Sequence, residues 1–438
     1  MAITERQRPA LNKTFYGWWM VLAASGLQFV NAGLIQQSFG AYVAVLRDDF
    51  DWSKTALAGA FSLQQVEGGL IGPLQGLIVD RFGTRGMIRI GVVILGAGLM
   101  LLSQIDSLPT FYAAFLVVAL GSSLCGFFPL TVALVNWFER KRARALSTMS
   151  LGFAMGGLVV PIVAYSLETF GWRTTAFASG VLAIAVGLPL SQIIRRRPED
   201  HGEVVDGIGD AARAETPVAP LASESDFTAR EALRTPAFWL ISLGHGSALF
   251  VVGAVSVHAI SHMKEDLGYS VGAASLVITL MTIFQITGML IGGAIGDRFD
   301  KRLIAAGCML MHTAGLLLIA YAVVLPMVIG FAVLHGIAWG LRGPLMQAIR
   351  ADYFGRSSFG MIMGISSTVI MFGQIGGPLV AGIMADATGD YKTGFTVLAI
   401  LTGLGAGFFV AAKRPPPPAR LRDLSLAAAR PSPTSERD

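Results

Sequence analysis

Gly76-Leu77-Ile78-Val79-Asp80-Arg81-Phe82-Gly83-Thr84-Arg85 has a counterpart later in the chain, Gly293-Ala294-Ile295-Gly296-Asp297-Arg298-Phe299-Asp300-Lys301-Arg302. Both stretches end an apolar run in a short charged turn, and their Asp-Arg-Phe cores stand 217 residues apart. Outward from this pair the offset persists. Trp52-Ser53 returns as Tyr269-Ser270 at 217, Asn136-Trp137-Phe138 as Asp352-Tyr353-Phe354 at 216, and Gly171 as Gly389 at 218. Dipeptides recur by chance, but one offset shared by four separate loops marks a duplicated unit, repeated in parallel about an axis along a membrane normal.

Composition says what the unit is made of. Of 438 residues, 53% are hydrophobic and 14% charged, against about 25% charged in an ordinary soluble domain. A bilayer must cover that apolar excess, which excludes a soluble enzyme. A spanning helix needs about 20 apolar residues, and twelve such runs occur, near 17–46, 54–79, 87–105, 110–138, 144–169, 174–195, 236–263, 271–296, 303–323, 326–350, 357–386 and 392–412. The first follows a long polar lead and ends in no small-residue cleavage pattern, so it reads as an uncleaved span rather than a signal peptide.

Of the 33 Lys and Arg, Arg47, Lys54, Arg173, Lys264 and Lys392 fall on one side and Arg342 inside a span; the other 27 fall on the opposite side with both termini. The rich side is cytoplasmic by the positive-inside rule, and the net charge of +5 is thereby assigned to orientation rather than to nucleic acid. The expected architecture is an all-α polytopic membrane protein with twelve transmembrane helices in two pseudo-symmetric six-helix bundles, residues 1–197 and 233–412. An acidic, Ala- and Pro-rich linker at 198–232 joins them, and a tail at 413–438 reads as disordered. Cys125 and Cys308 lie in apolar runs, which leaves no disulfide framework and no Cys-based metal site. No metal or other cofactor is expected, and no Walker A pattern points to ATP.

The ten-residue phrase at Gly76 to Arg85 resembles the signature of the major facilitator superfamily between spans 2 and 3, and Gly293 to Arg302 resembles its second-half copy. The resemblance covers nearly the whole chain. It implies that the cluster latches the outward-open state, with Asp80 accepting hydrogen bonds at a neighbouring helix N-terminus and Arg81 and Arg85 pairing with carboxylates across the two halves. Asp297 and Arg298 are the second-half counterparts, in a turn made less ideal by Asp300 where the family has glycine. Glu139-Arg140-Lys141-Arg142-Ala143-Arg144 reads equally as orientation charge or as part of a gate.

Within the superfamily, Phe15-Tyr16-Gly17-Trp18-Trp19, Phe50-Asp51-Trp52-Ser53 and Gly171-Trp172-Arg173 resemble the bacterial monocarboxylate-porter and oxalate/formate-antiporter branch. That branch implies transport of a small organic anion, often with a proton; the chain is expected to be a monomer in the bacterial inner membrane. The charges by which its best-known members work are missing, because Gln37 stands at the span 1 basic position and Gln285 and Met289 at the span 8 Asp and Arg positions.

An ionisable group at membrane depth costs at least about 2.5 to 3.5 kcal/mol on insertion scales, so each one present needs a partner or a task. Arg342 lies ten residues before Asp352, roughly 15 Å into span 10 and near the midplane where transported substrates bind. His335 and Trp339 share its helix face at i, i+4 and i+7. A guanidinium fork fits a carboxylate, the indole offers a wall, and the imidazole titrates near neutral pH. Gly340, Gly343 and Pro344 are expected to loosen the helix beside them. A structural ion pair is the alternative for Arg342.

Glu67, about 20 Å into span 2, is a proton-titrating candidate, a partner for Arg342, or a group hydrogen-bonded to Gln64 and neighbouring helix residues. His245 is the span 7 histidine expected to face the cavity, whereas His258 and His262 are expected to meet water and His312 the periphery. Gln28, Asn31 and Gln37 in span 1, with Gln285, are candidates for substrate contact, and equally for helix-to-helix bonds. The coupling candidates are thus Glu67, His335 and His245. An exporter of amphipathic or cationic compounds and a non-transporting ligand sensor are the rival functions; no catalytic constellation converges anywhere in the chain.

Overall fold

A computed structural model describes residues 15–52, 54–207, 226–269, 271–418 and 420. Positions 1–14, Ser53, Ser270, linker positions 208–225, and all of the tail from 419 onward except Arg420 lie outside it. Among the described residues there are twelve long helices, and eleven of them are long and apolar enough to cross a membrane. They are α1, Tyr16–Asn31, extended by a π-helical segment Ala32–Gln36 and by Phe39–Phe50; α2, Lys54–Phe82; α3, Thr84–Leu102; α4, Leu108–Trp137; α5, Arg142–Phe170; and α6, Trp172–Ile193. The second half repeats them as α7, Pro236–Glu265; α8, Val271–Ile295; α9, Lys301–Ala320; α10, Leu325–Phe354; α11, Phe359–Thr388; and α12, Lys392–Ala411. Helix α2, with its buried Glu67 and Gln75, is the one outside the apolar set.

The duplicated turns have a local cause. Gly83, between α2 and α3, has φ +86°, a left-handed conformation that a side chain rarely adopts. In the second copy Asp300 sits at φ −63° and closes the turn differently, its carboxylate accepting the Arg302 N–H at 2.9 Å as the N-cap of α9. Gly171 and Gly389, the outer landmarks of the repeat, both take positive φ, +78° and +83°, but differ in ψ, 156° against 0°.

Both Asp-Arg-Phe turns lie on one side, hereafter the basic side. There the halves are joined along two seams, α2 with α11 and α5 with α8. In the first, Gly72 and Gly76 let the α2 backbone ride against that of Gly360 and Gly364, and Thr368 Oγ1 donates to the Gly69 carbonyl at 2.8 Å. In the second, Gly293 of α8 and Gly296 just beyond its end face Ser147 and Ala143. On the other side, the branch-like motifs meet one another. Phe50 stacks on Trp52 with centroids 4.4 Å apart, Trp172 lies 5.8 Å from Phe50, and the Trp172 indole donates to Asp49 at 2.8 Å.

Candidate substrate site

Helix α10 runs unbroken through Gly340, Gly343 and Pro344, contrary to the expected loosening. Its glycines serve contact instead, since a Cβ on Gly336 or Gly340 would collide with the α8 backbone at Met281 and Gln285. This close approach fixes the face that carries His335, Trp339 and Arg342. Arg342 is only 1% exposed, and its Nε and Nη1 have no hydrogen-bond partner. Among the described residues no carboxylate lies within ion-pair distance of it; the salt bridges lie at the two membrane faces. Trp339 is half-buried, with its ring 6.1 Å from that of His335.

Two neighbours of this face were not legible in the sequence. His312, expected at the periphery, is fully buried, and its Nδ1 lies 3.1 Å from Nδ1 of His335. The reason is that α9 packs its His312 edge against α10 rather than against lipid. Arg350 counts among the 27 orientation charges by sequence, yet it is 1% exposed, with Nη1 on the Met346 carbonyl and Gln347, both at 3.2 Å. Its Nη2 donates to His245 Nδ1 at 3.1 Å. A guanidinium only donates, so this bond makes His245 Nδ1 an acceptor and ties that imidazole to Arg350. The sequence signal available was spacing: Arg350 follows Arg342 by two helical turns on one face.

The polar groups of the first half are mostly engaged with each other. Asn31 exchanges bonds with Ser122, donating to its carbonyl at 3.4 Å and accepting from its hydroxyl at 2.8 Å, and Gln36 donates to the same hydroxyl at 2.9 Å. Asn31 therefore fastens α1 to α4. Gln28 is buried, Gln37 is half-buried beside the π-helical segment, and Gln285 is buried beneath α10. Glu67 hydrogen-bonds Ser123, which also accepts from Gln75 at 2.5 Å, while Oε1 of Glu67 has no partner. Its observed partner is thus on α4 rather than Arg342. His262, expected to meet water, is buried between Asp266 at 2.6 Å and the Ile319 carbonyl at 2.9 Å, and His258 bonds the Pro378 carbonyl at 3.0 Å.

On the basic side Asp80 accepts the Gly360 and Met361 N–H groups, at 3.1 and 2.9 Å, at the start of α11. Asp297 accepts those of Ala143 and Arg144, at 2.8 and 3.1 Å, at the start of α5. Donors and acceptors alike are related by 217 residues, so Asp300 changes how the second turn closes but not what Asp297 reaches. Both carboxylates sit where helix N–H groups lack intrahelical partners and the dipole is positive. Burial pushes Asp297 above the ordinary carboxylate range despite these bonds.

The arginines depart from expectation. Arg85 donates to Gln192 of its own half at 3.0 and 3.2 Å, Arg81 lies over its neighbour Phe82, and Arg298 is exposed. The cross-half ion pair is made instead by Arg142 with Asp352, while Arg356 pairs with Glu199 of the linker. The linker is partly built into this face, because Asp206 accepts the Arg140 N–H at 2.7 Å and Asp226 the Arg356 N–H at 3.0 Å. These two loops are again equivalent in the repeat.

Comparison with known proteins adds the following. The sequence model of the Major Facilitator Superfamily matches residues 21–260 and 241–436. The oxalate:formate antiporter of Oxalobacter formigenes is 24% identical over 404 residues, 87% of this chain and 88% of that protein. The membrane sensor protein UhpC of Escherichia coli (strain K12) is 23% identical over 414 residues, 89% and 91% of the two chains. The crystal structure of a transporter, FucP, in the outward conformation superposes with a TM-score of 0.71 at 15% identity, covering 92% of this chain and all of that one.

Proposed function

Because the chain belongs to the Major Facilitator Superfamily, we propose that it is a secondary transporter that moves a small organic anion, with Arg342 as the anion's anchor. One observation carries this reading: a fully buried guanidinium with two unpartnered nitrogens and no carboxylate in reach. A buried unsatisfied polar group costs about 1–3 kcal/mol, more when charged, and a carboxylate laid across the fork of Arg342 removes that cost. The similarity to an oxalate:formate antiporter supports the same substrate class, a monocarboxylate or a close relative.

In this reading Trp339 walls the site, His335 and Gln285 line it, and Gln28 and Gln37 approach from α1. The two bundles rock about this point. Asp80 and Asp297 latch the basic, cytoplasmic side shut when the site faces outward. A cationic substrate is disfavoured, since Arg342 and Arg350 stand in the same helix against a single acid, Glu67, that is already bonded to Ser123. In this reading the chain sits in the inner membrane with both termini in the cytoplasm, an orientation that the charge asymmetry of the loops supports.

Thermal stabilisation of the purified protein by formate, lactate, oxalate, amino acids and cationic drugs, with Arg342→Ala run in parallel, tests the anchor. A shift with an organic anion that is lost in the variant supports it. Stabilisation by cations alone, unchanged in the variant, overturns it. The similarity to a membrane sensor favours a second reading, ligand binding without transport, and counterflow in proteoliposomes separates the two.

A further inference from the structure

His312 and His335 leave more unexplained than their mutual bond explains. Both imidazoles are fully buried, their rings are 4.6 Å apart and inclined by 64°, and the Nε2 atom of each is buried without a partner. The Nδ1 to Nδ1 contact of 3.1 Å fixes the proton count. One proton lies between the rings, so one imidazole donates through Nδ1 and the other accepts. In the neutral pair it follows that one Nε2 carries a hydrogen and the other is bare. One added proton, placed on the bare Nε2, keeps the contact and makes both outer nitrogens donors. A second would put two N–H groups face to face and break it. The pair therefore has room for a single extra proton.

What decides whether that proton is present is the charge nearby. Arg342, seven residues beyond His335 on the same face, acts electrostatically on both rings. The other ionisable groups around the pair are Cys308, one turn earlier on α9, and Arg350 with its bonded His245. Helix α8 has none, and α12 and α11 have only Lys392 and Asp386, at their outer ends. On α7 the remaining ones, from His258 to Glu265, lie at its outer end, where His262 is already bonded. Helix α5 has none between Arg144 and Glu168 except Tyr165. No acid among these side chains offsets Arg342. A second positive charge beside an unpaired guanidinium in a low-dielectric interior is opposed, and an anion on Arg342 removes the opposition.

We propose that His312 and His335 are the proton-binding element of this transporter, taking up one proton for each organic anion that neutralises Arg342. This rests on the reading of Arg342 as the anion anchor. Binding is then reciprocal, the anion favouring the proton and the proton the anion by the same factor, and the loaded site carries the same net charge as the empty one. Symport follows, with proton and anion crossing together.

The test is proton uptake by the purified full-length protein in weakly buffered detergent solution with a pH-indicator dye, titrated in turn with formate, lactate and oxalate. The expected result is about one proton taken up per anion bound, with affinity falling about tenfold per pH unit over the range in which the pair is deprotonated in the free protein. His312→Gln, which keeps a neutral hydrogen-bonding group beside His335, is expected to abolish the uptake and flatten that slope. Anion binding that depends on Arg342 but takes up no proton overturns this proposal and leaves the anchor standing. Uptake and slope unchanged in His312→Gln also overturn it. Binding of none of the anions overturns both readings, and the wild-type titration decides even where the variant fails to fold.

Discussion

The two halves of the molecule agree at the membrane face and disagree in its interior. On the basic side an aspartate of each half holds the first N–H groups of a helix of the other, with donors and acceptors related by one offset. Inside, the first half offers Glu67 and a set of amides and hydroxyls bonded to one another, whereas the second holds Arg342, Arg350 and the buried histidines His245, His312 and His335 in adjoining helices, with His262 buried nearer the outer end. Duplication explains the agreement. On the reading proposed above, the disagreement marks the binding chemistry: rocking calls for matching seams in both halves, whereas an anion anchor calls for one charge, not its mirror copy.

The sharpest way to break this comparison is to remove the charge that makes the second half different. Arg342→Met keeps volume and apolar contacts while deleting the fork. A lost charge-assisted bond of about 1.5–3 kcal/mol corresponds to an anion affinity roughly 10- to 150-fold weaker. The unliganded variant is expected to melt no lower than the parent, because an uncompensated buried charge has been taken out. Were Arg342 half of a structural ion pair, its loss would destabilise the protein by about 3–5 kcal/mol, and a melting curve distinguishes the two.

The contrast also explains what sequence could and could not tell. The fold was legible because hydropathy, loop charge and the offset of 217 all act locally along the chain. Asp80 was legible as an acceptor through the family resemblance and because a helix N-terminus favours a carboxylate, and Asp297 only as its counterpart in the repeat. Arg350 and His312 were not. Whether a basic residue near a helix end meets water or protein, and which neighbour a histidine faces, depends on how α7, α9 and α10 pack, which no periodicity records. Arg81 and Arg85 failed for the same reason, since long side chains settle on nearby groups of their own half, Arg85 on Gln192 and Arg81 over Phe82.

Matched positions in the two seams sharpen the comparison further. Gly76 and Gly293 are equivalent in the repeat, yet a Cβ on Gly76 would collide with the Gly360 backbone, whereas on Gly293 its nearest neighbour is Ser147 Cβ at 3.4 Å. Gly76→Ala is therefore expected to weaken the α2–α11 seam by about 1–3 kcal/mol, seen as faster labelling of a cysteine introduced into it, and Gly293→Ala to change the labelling of one introduced into the α5–α8 seam little. Equal effects would show that the seams are alike and that the looser second one relaxes in solution. Asp80→Asn and Asp297→Asn, by contrast, each replace an ionised acceptor of two backbone bonds and are expected to loosen the basic side by similar amounts, about 1 kcal/mol each.

The smallest effect concerns protons at that latch. Burial raises Asp297 above the ordinary aspartate value of about 3.9 when the basic side is closed; with the halves apart, water restores that value. The closed state thus binds a proton more readily than the open one. Its proton-linked contribution is complete below about pH 3.9 and is lost as pH rises through the raised value. Mild acid is expected to shift the population toward the closed basic side, read as slower labelling of a cysteine on that face, and Asp297→Asn to remove the part of the slope that belongs to this group. A slope of opposite sign would mean that the two backbone bonds to α5 outweigh burial, so that the latch is held by the charged carboxylate and acid releases it.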